Sequence, residues 1–512
     1  MRIRPQAPRS LWLIGLMALC LTPFHAGAGA KDDTLVVAFG TPLTTVDRLY
    51  SIQREGLILS QLTDDGLFFV DPDSLEFVPL AATSHEWVSD TQLEVTLRDD
   101  VVFHDGSELT ADDVVYTFEW VINEKSETSR GPVIRSWLDS VEKLNSHKVR
   151  FNLKMPYPMA LRDMAISIPL RKEGTYTARE GEADEPLLNG IGPYRVTEFR
   201  AGRTIVLERF EDYYDASPKA RAGIRNMVFR VIPDEGTQQA ELLSGGVNLM
   251  MDVPPDVADN VSHLRGVERL EGNDIRIGYI TLDAASTGPD APFASRKVRQ
   301  AINHAINRED ITRYLVRGSA EVIDFACHPI QFGCNGDGPR YPYDPDKARQ
   351  LLAEAGYPDG FSFNLWAYRE KIIAEAIVHD LKAVGLNVNL RFVQLNVFSR
   401  IRNNKDMQAF FASYGSGGTA DASASTGVHF MANSARNYSG DDDLAATVLA
   451  AEQTNDREER KRLYRKALNR IAEEAYWVPM FSYSQNFLMT SGLEFPVPKD
   501  GVPRLWQASW SD

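Results

Sequence analysis

The first element written in the hydrophobic pattern is TLVVAFG (Thr34–Gly40), a β-branched apolar run closed by glycine. It predicts a buried strand opening a sheet. From Leu93 to Val121 the chain alternates apolar and polar residues, turns at Asp105-Gly106, and then changes period. Thr110 and Asp113 have capping-box spacing, and Val114, Thr117, Phe118 and Val121 share one helical face, so strands pass into a helix. His104 beside Asp105 has the residue types of a catalytic pair, but its flanking strand and capping box predict a hairpin turn instead.

A second strand-rich block runs through Gly192–Phe199, Thr204–Phe210 and Ile224–Ile232, followed by a helix that Gly245-Gly246 stop before another strand. Apolar residues at 298, 301, 302, 305 and 306 predict one amphipathic helix over Val298–Ile311, on which Arg299 is expected to anchor packing or a surface ion pair. Tyr341–Phe361 predicts another, with Asp344 as N-cap, Pro345 in the first turn and Gly356 past the end. FSFNLWAY and LNVNLRFV bracket a helix over about Ile372–Val384, a β-α-β unit suited to a parallel strand pair. Ser413–Gly427 is rich in small polar residues and is expected to be a functional or mobile loop.

The N-terminus changes the picture. Arg2, Arg4 and Arg9 precede the apolar run Leu11–Leu21, which is too short to span a bilayer, and Ala28-Gly29-Ala30 fits a small-residue cleavage site. Residues 1–30 therefore read as a secretory signal peptide, with Lys31 as the mature start. Leu19 is a poor lipobox residue before Cys20, so lipidation is not the expectation. No later stretch is long and apolar enough for a membrane span, so the mature protein is expected to be exported and soluble.

At 512 residues, with 43% hydrophobic and 10% aromatic content, the chain suits two to four packed lobes. Its net charge of −16 argues against a non-specific grip on nucleic acid or anionic lipid. A small solute or another protein is the expected partner. The remaining cysteines, Cys327 and Cys334 in CHPIQFGC, most simply close a disulfide in an oxidising compartment. Metal binding through both thiols and His328 is the rival reading, but residues to complete a tetrahedral set are lacking nearby. The histidines are scattered, so neither a metal nor a cofactor is expected.

Six segments in this order resemble the large extracytoplasmic solute-binding proteins of oligopeptide and dipeptide ABC importers, solute-binding protein family 5. They are VVFHDGSELTADDVVYTF, NGIGPYRV, VLERFEDYYDASPKA, LLSGGVNLM, PFASRKVRQAINHAINREDI and YPYDPDKARQLLAEAGYPDGF. The resemblance implies an α/β, two-lobed periplasmic-binding-protein fold with mixed sheets and an extra subdomain. Lobe one would take residues 31–70, 192–290 and 485–512, the subdomain 71–191, and lobe two 291–484. It also implies a monomeric periplasmic receptor that closes like a Venus flytrap on a short peptide or peptide-like solute and delivers it to an inner-membrane ABC permease.

The family loop that meets a peptide ammonium reads as Trp followed by two Asp and Pro. Here it corresponds to Tyr414–Asp421: the aromatic is Tyr414, the first Asp is lost near Gly417, and Asp421 matches the second after a one-residue shift. Burying an ammonium without a partner charge costs several kcal/mol, so amine recognition by that route is in doubt. Trp366, Tyr368 and Arg369 follow as candidates for stacking and anion pairing. Trp366 has ordinary core packing and Arg369 a surface charge as the plain alternatives. Thr41, Thr44 and Thr45 follow the first strand at the mouth of the sheet, while Trp477 and Tyr483 are expected in the core. The same family could instead bind a sugar, an opine-like compound or a metal chelate. A secreted hydrolase is the competing class, but G-x-S-x-G, H-E-x-x-H and phosphate-loop motifs are missing.

Overall fold

The computed structural model describes residues 29–176, 188–286, 291–496 and 499–511. The leader reading, including Cys20, lies outside them except for Gly29 and Ala30. In chain order the main strands are β1 (Thr34–Phe39), β2 (Ala82–Ser89), β3 (Gln92–Leu97), β4 (Leu138–Asn145), β5 (Lys148–Leu153), β6 (Tyr194–Arg200) and β7 (Thr204–Arg209). They continue with β8 (Asn226–Val231), β9 (Leu249–Met250), β10 (Val267–Leu282), β11 (Ser362–Ala367), β12 (Asn387–Phe392), β13 (Ala409–Tyr414) and β14 (Trp477–Thr490).

One mixed sheet runs β12-β11-β13-β10-β14-β9-β1-β8-β7-β6 through both lobes, and β2-β3-β5-β4 form a separate antiparallel sheet. The long strands β10 and β14 cross between the lobes. They pair antiparallel from Val267 opposite Thr490 to Thr281 opposite Trp477, with register shifts between Asp274 and Ile277 and between Gly278 and Tyr279. Burial marks the crossing. Phe487 and Met489 pack in the first lobe's core, whereas Ile280, Val478, Met480 and Phe481 pack in the second's. Between those sets, Asn273, Asp274, Ser484 and Gln485 form a polar strip, a place where two cores can tilt without tearing either.

Local patterns explain most elements. Every residue of β1 is buried, and parallel neighbours flank it on both edges. The helix Ala111–Ile122 begins with the Thr110/Asp113 capping box and buries Val114, Thr117, Phe118 and Val121. Before it, Gly106 takes φ 83°, and His104 packs on Phe210 and bonds the Gly192 carbonyl at 2.9 Å, which makes it part of a turn. The Asp344 side chain accepts from Lys347 N to cap Pro345–Glu354, and β11 pairs parallel with β12 across the helix Lys371–Ala383.

Two expectations are corrected. The helix expected over Val298–Ile311 ends at Ala305, because Ile306 is extended and the Asn307 side chain accepts from Asp310 N to cap a separate turn. Arg299 on this helix is buried, holding the Phe293 and Ala294 carbonyls and the chain at Glu474. The stretch Ser413–Gly427 is also not a single loop: β13 reaches Tyr414, and Ser423–Phe430 is helical. Its small residues serve close packing, since Ser425 and Thr426 are fully buried and a Cβ at Gly427 would lie 2.0 Å from Glu452 Oε1.

A disulfide joins Cys327 and Cys334. Buried charge ties the subdomain to the first lobe: Arg171 meets Asp64 at 2.6 Å and Asp47 at 3.0 Å, and Tyr176 donates to Asp47. Among the described residues, no helix is long and apolar enough to cross a membrane.

Candidate functional site

Beyond β13 the chain turns at Gly415 and makes a tight 3-10 turn, Ser416–Gly418, in which Gly417 takes φ 57°. Thr419 follows, and its hydroxyl accepts from Arg162 Nε at 2.9 Å, joining the second lobe to the helix Ala160–Ile166 of the subdomain. Arg162 also donates to Asp163 at 2.6 Å, and that buried carboxylate accepts from Trp137 at 3.0 Å and Tyr157 at 3.3 Å. The guanidinium is therefore aimed, not free to swing.

Tyr414 lies at this meeting of lobes. Its ring packs edge-on against His429 with centroids 4.9 Å apart, and Arg436 stands 5.8 Å over it. Burial pushes the Tyr414 phenol up, against the pull of Arg436, Arg162 and Arg130. Behind it, His429 Nδ1 donates to the Ser425 carbonyl at 2.9 Å, which leaves Nε2 to accept from the Tyr279 hydroxyl at 2.9 Å. Burial, then Arg436, drives the His429 imidazole down to about 3, so it is a neutral, fixed base for the aromatic floor. Trp477 completes that floor, stacked on Tyr279 at 3.8 Å, and is buried in the second lobe's core.

Arginines from both lobes lie near Tyr414 and the turn after it, Arg436 over the ring and Arg162 at Thr419. Arg48, after β1, donates to the Ser51 carbonyl and is almost fully buried. Burial, then Arg130 and Arg162, lowers its guanidinium to about 9, still protonated at neutral pH. Arg130 is lowered by burial and by Arg162. On the second lobe, Arg402 bonds Asn403 and is lowered by burial and by Arg436.

Of the residues expected from sequence, Tyr368, Arg369 and Tyr414 come together. Arg369 donates to Ser413 Oγ at 2.9 Å, pairs with Glu370 and stands 5.3 Å over the Tyr483 ring, while Tyr368 packs on Phe398. Tyr483 is buried and donates to Glu370, so it belongs to this cluster as well as to the core. Trp366 is half-buried on β11 and packs in the cluster that holds Tyr279, Phe398 and Trp477. Asp421 stands apart: Oδ2 accepts from Arg460 at 2.9 Å and Oδ1 from Ser423 N at 2.9 Å. Thr41 and Thr44 are exposed after β1, whereas Thr45 is buried and accepts from Asp47 N. Sequence reasoning missed Arg48, Arg130, Arg162, Arg402, Arg436 and His429. Their separation along the chain hides them, since only folding brings them together.

Among the described residues, no group of three or more His, Cys, Asp or Glu side chains could hold a metal ion. A family model for bacterial extracellular solute-binding proteins, family 5 Middle, matches residues 76–436. The chain belongs to this family. Its members are the solute-binding subunits of ABC importers. Heme-binding protein A of Haemophilus influenzae is 28% identical over 443 residues, which is 80% of this chain and 79% of that one. Glutathione-binding protein GsiB of Salmonella typhi is 26% identical over 491 residues, which is 92% of each chain. The ABC transporter substrate-binding protein CtaP of Listeria monocytogenes has a structure matching with a TM-score of 0.82 at 23% identity, over 94% of this chain and 99% of that one. That likeness establishes the shared two-lobed fold, and the relatives are binding proteins rather than enzymes.

Proposed function

We propose that this family 5 protein is a periplasmic receptor, exported by its N-terminal leader, that captures a short peptide or peptide-like solute and delivers it to an inner-membrane ABC permease. The observation that carries the reading is the meeting of Tyr414 and the Thr419 turn of one lobe with Arg162 of the other, beside strands that cross between two separate cores. A solute held there touches both lobes at once and stabilises the closed arrangement over the open one. Release is reopening, and no covalent step is required.

In this reading the protein acts as a monomer and divides into 31–70, 192–290 and 485–512, a subdomain at 71–191, and a second lobe at 291–484. Tyr368, Arg369 and Tyr414 supply the second lobe's wall, Trp366 supports it, and Thr44 lies at the rim after β1. Relatives named for heme and for glutathione show how widely solutes vary within the family, so both belong in a ligand screen. Mass spectrometry of solute co-purified with the protein, followed by thermal shift, tests the proposal. A ligand at 100 times its Kd adds about 2.7 kcal/mol of stability. A peptide-like compound that raises the melting point is the expected result. A shift produced only by a sugar or a chelate would replace the solute class, and turnover of the compound would favour a hydrolase.

A further inference from the structure

Five arginines lie along the meeting of the lobes: Arg436 stands 5.8 Å over the Tyr414 ring, and Arg162 reaches the hydroxyl of Thr419 in the turn that follows it. The segments of Arg48 and Arg130 are joined by the bond from Ser129 N to the Leu49 carbonyl at 2.8 Å, and those of Arg402 and Arg436 by the bond from the Tyr438 hydroxyl to the Arg402 carbonyl at 2.7 Å. The Tyr414 phenol, pushed up by burial, is drawn back down by Arg436, Arg162 and Arg130, in keeping with positive charge on both sides of its ring. Among the described residues only Arg162 of the five has a carboxylate in ion-pair contact, namely Asp163. The Nε atoms of Arg48 and Arg130 are buried without a hydrogen-bond partner. In the turn facing Arg162, a Cβ built on Gly417 meets a single atom, Arg162 Nη2, at 3.8 Å, while the acid beyond Gly418, Asp500, is held by Arg504 at 2.5 Å.

This arrangement is unusual in a chain whose net charge is −16. Arg48 and Arg402 are buried and the other three half-buried, and like charges gathered where water is partly excluded repel and favour an anion between them. A guanidinium presents a planar fork of donors that matches a carboxylate in two parallel bonds. One carboxylate satisfies one side and leaves the other uncompensated, whereas the carboxylates an ammonium could meet here, Asp163 and Glu370, are already paired with Arg162 and Arg369.

We propose that the solute is an organic anion with at least two carboxylates, one held by Arg48, Arg130 and Arg162 and the other by Arg402 and Arg436, with Tyr414 packed against the part between them. The proposal rests on the receptor reading and narrows its substrate class.

The test is calorimetric titration of ligand-stripped, refolded full-length protein with Glu-Gly-Glu, Gly-Gly-Gly, Lys-Gly-Lys, glutarate and inorganic pyrophosphate at low and high salt. X-ray scattering on the same mixtures reads lobe closure. A dicarboxylate is expected to bind at least tenfold more tightly than Gly-Gly-Gly, to lose affinity with salt, and to lose at least tenfold in Arg130→Met and in Arg436→Met. Arg436→Lys should restore part of that loss. Ligand-free Arg130→Met and Arg436→Met should melt at or above the parent temperature at low salt, because each removes an uncompensated charge; a clear fall would contradict that premise without any ligand.

Tighter binding of Gly-Gly-Gly or Lys-Gly-Lys with lobe closure would overturn the anion proposal and leave the receptor reading intact. Pyrophosphate outbinding every carboxylate would overturn the carboxylate assignment. An unchanging scattering envelope with every compound, including the co-purified solute, would instead contradict the receptor reading.

Discussion

Opening the Cys327–Cys334 disulfide should weaken both the second lobe and ligand binding. The cysteines are seven positions apart, so the cross-link removes loop-closure entropy worth about 2.4 kcal/mol from the unfolded chain. The short loop it closes also holds the interlobe turn: Phe332 N donates to the Ala420 carbonyl at 2.9 Å, Ala422 N to the Phe332 carbonyl at 2.9 Å, and Gln331 Nε2 to the Thr419 carbonyl at 2.7 Å. Thr419 in turn receives Arg162 from the other lobe. Each such bond contributes about 1 kcal/mol net, so loosening the loop puts a further 1–2 kcal/mol at the site at risk, roughly. The double variant Cys327→Ser, Cys334→Ser should therefore unfold at lower urea by about 2–3 kcal/mol. Its affinity for the co-purified solute should fall several-fold. Urea unfolding followed by tryptophan fluorescence, paired with calorimetry, reads both. A variant that is destabilised yet binds at full strength would refute the claim that this loop positions the turn.

Other outcomes follow from the same contacts. Arg171→Met leaves Asp64 and Asp47 buried without their cation and should cost about 3–5 kcal/mol in denaturant unfolding; a loss under 1 kcal/mol, roughly, would mean that water reaches the pair. Burial, then Asp421, raises the Glu452 carboxyl to about 7. Its protonated form is favoured by folding, so this group's contribution is fully present below the ordinary carboxylate range and is lost as pH rises through about 7. Glu452→Gln should therefore gain stability relative to the parent between pH 5 and pH 8, and melting curves showing no pH dependence in that difference would contradict the assignment. Arg369→Ala, and more weakly Trp366→Ala, should reduce solute affinity in titration while circular dichroism stays unchanged; full affinity in both would move the site elsewhere.

Elements whose signals are local were legible before folding. The Thr110/Asp113 capping box, Pro345 after Asp344, and the β-α-β unit ending in LNVNLRFV each declare themselves within about twenty residues. The break after Ala305 was not legible, because the apolar period continues through Ile306 while a single Asn307 side chain decides the backbone. Ser413–Gly427 misled for a related reason: small residues signal a loop when isolated and close packing when a neighbour such as Glu452 lies against them. Tyr414, and likewise Tyr368 and Arg369 in the turn after a strand, were singled out through the family resemblance rather than through any local pattern. The arginine set was beyond reach, since Arg48, Arg130, Arg162, Arg402 and Arg436 lie in five separate segments with no shared motif. Their common environment is created by the two lobes meeting, which no short window of sequence contains.

The most direct measurement of the account is small-angle X-ray scattering of the protein stripped of solute and then reloaded with the compound that co-purifies with it. A smaller radius of gyration on loading, reversed on removal, is the predicted result. The same envelope in both states, with binding confirmed by calorimetry, would contradict capture by lobe closure.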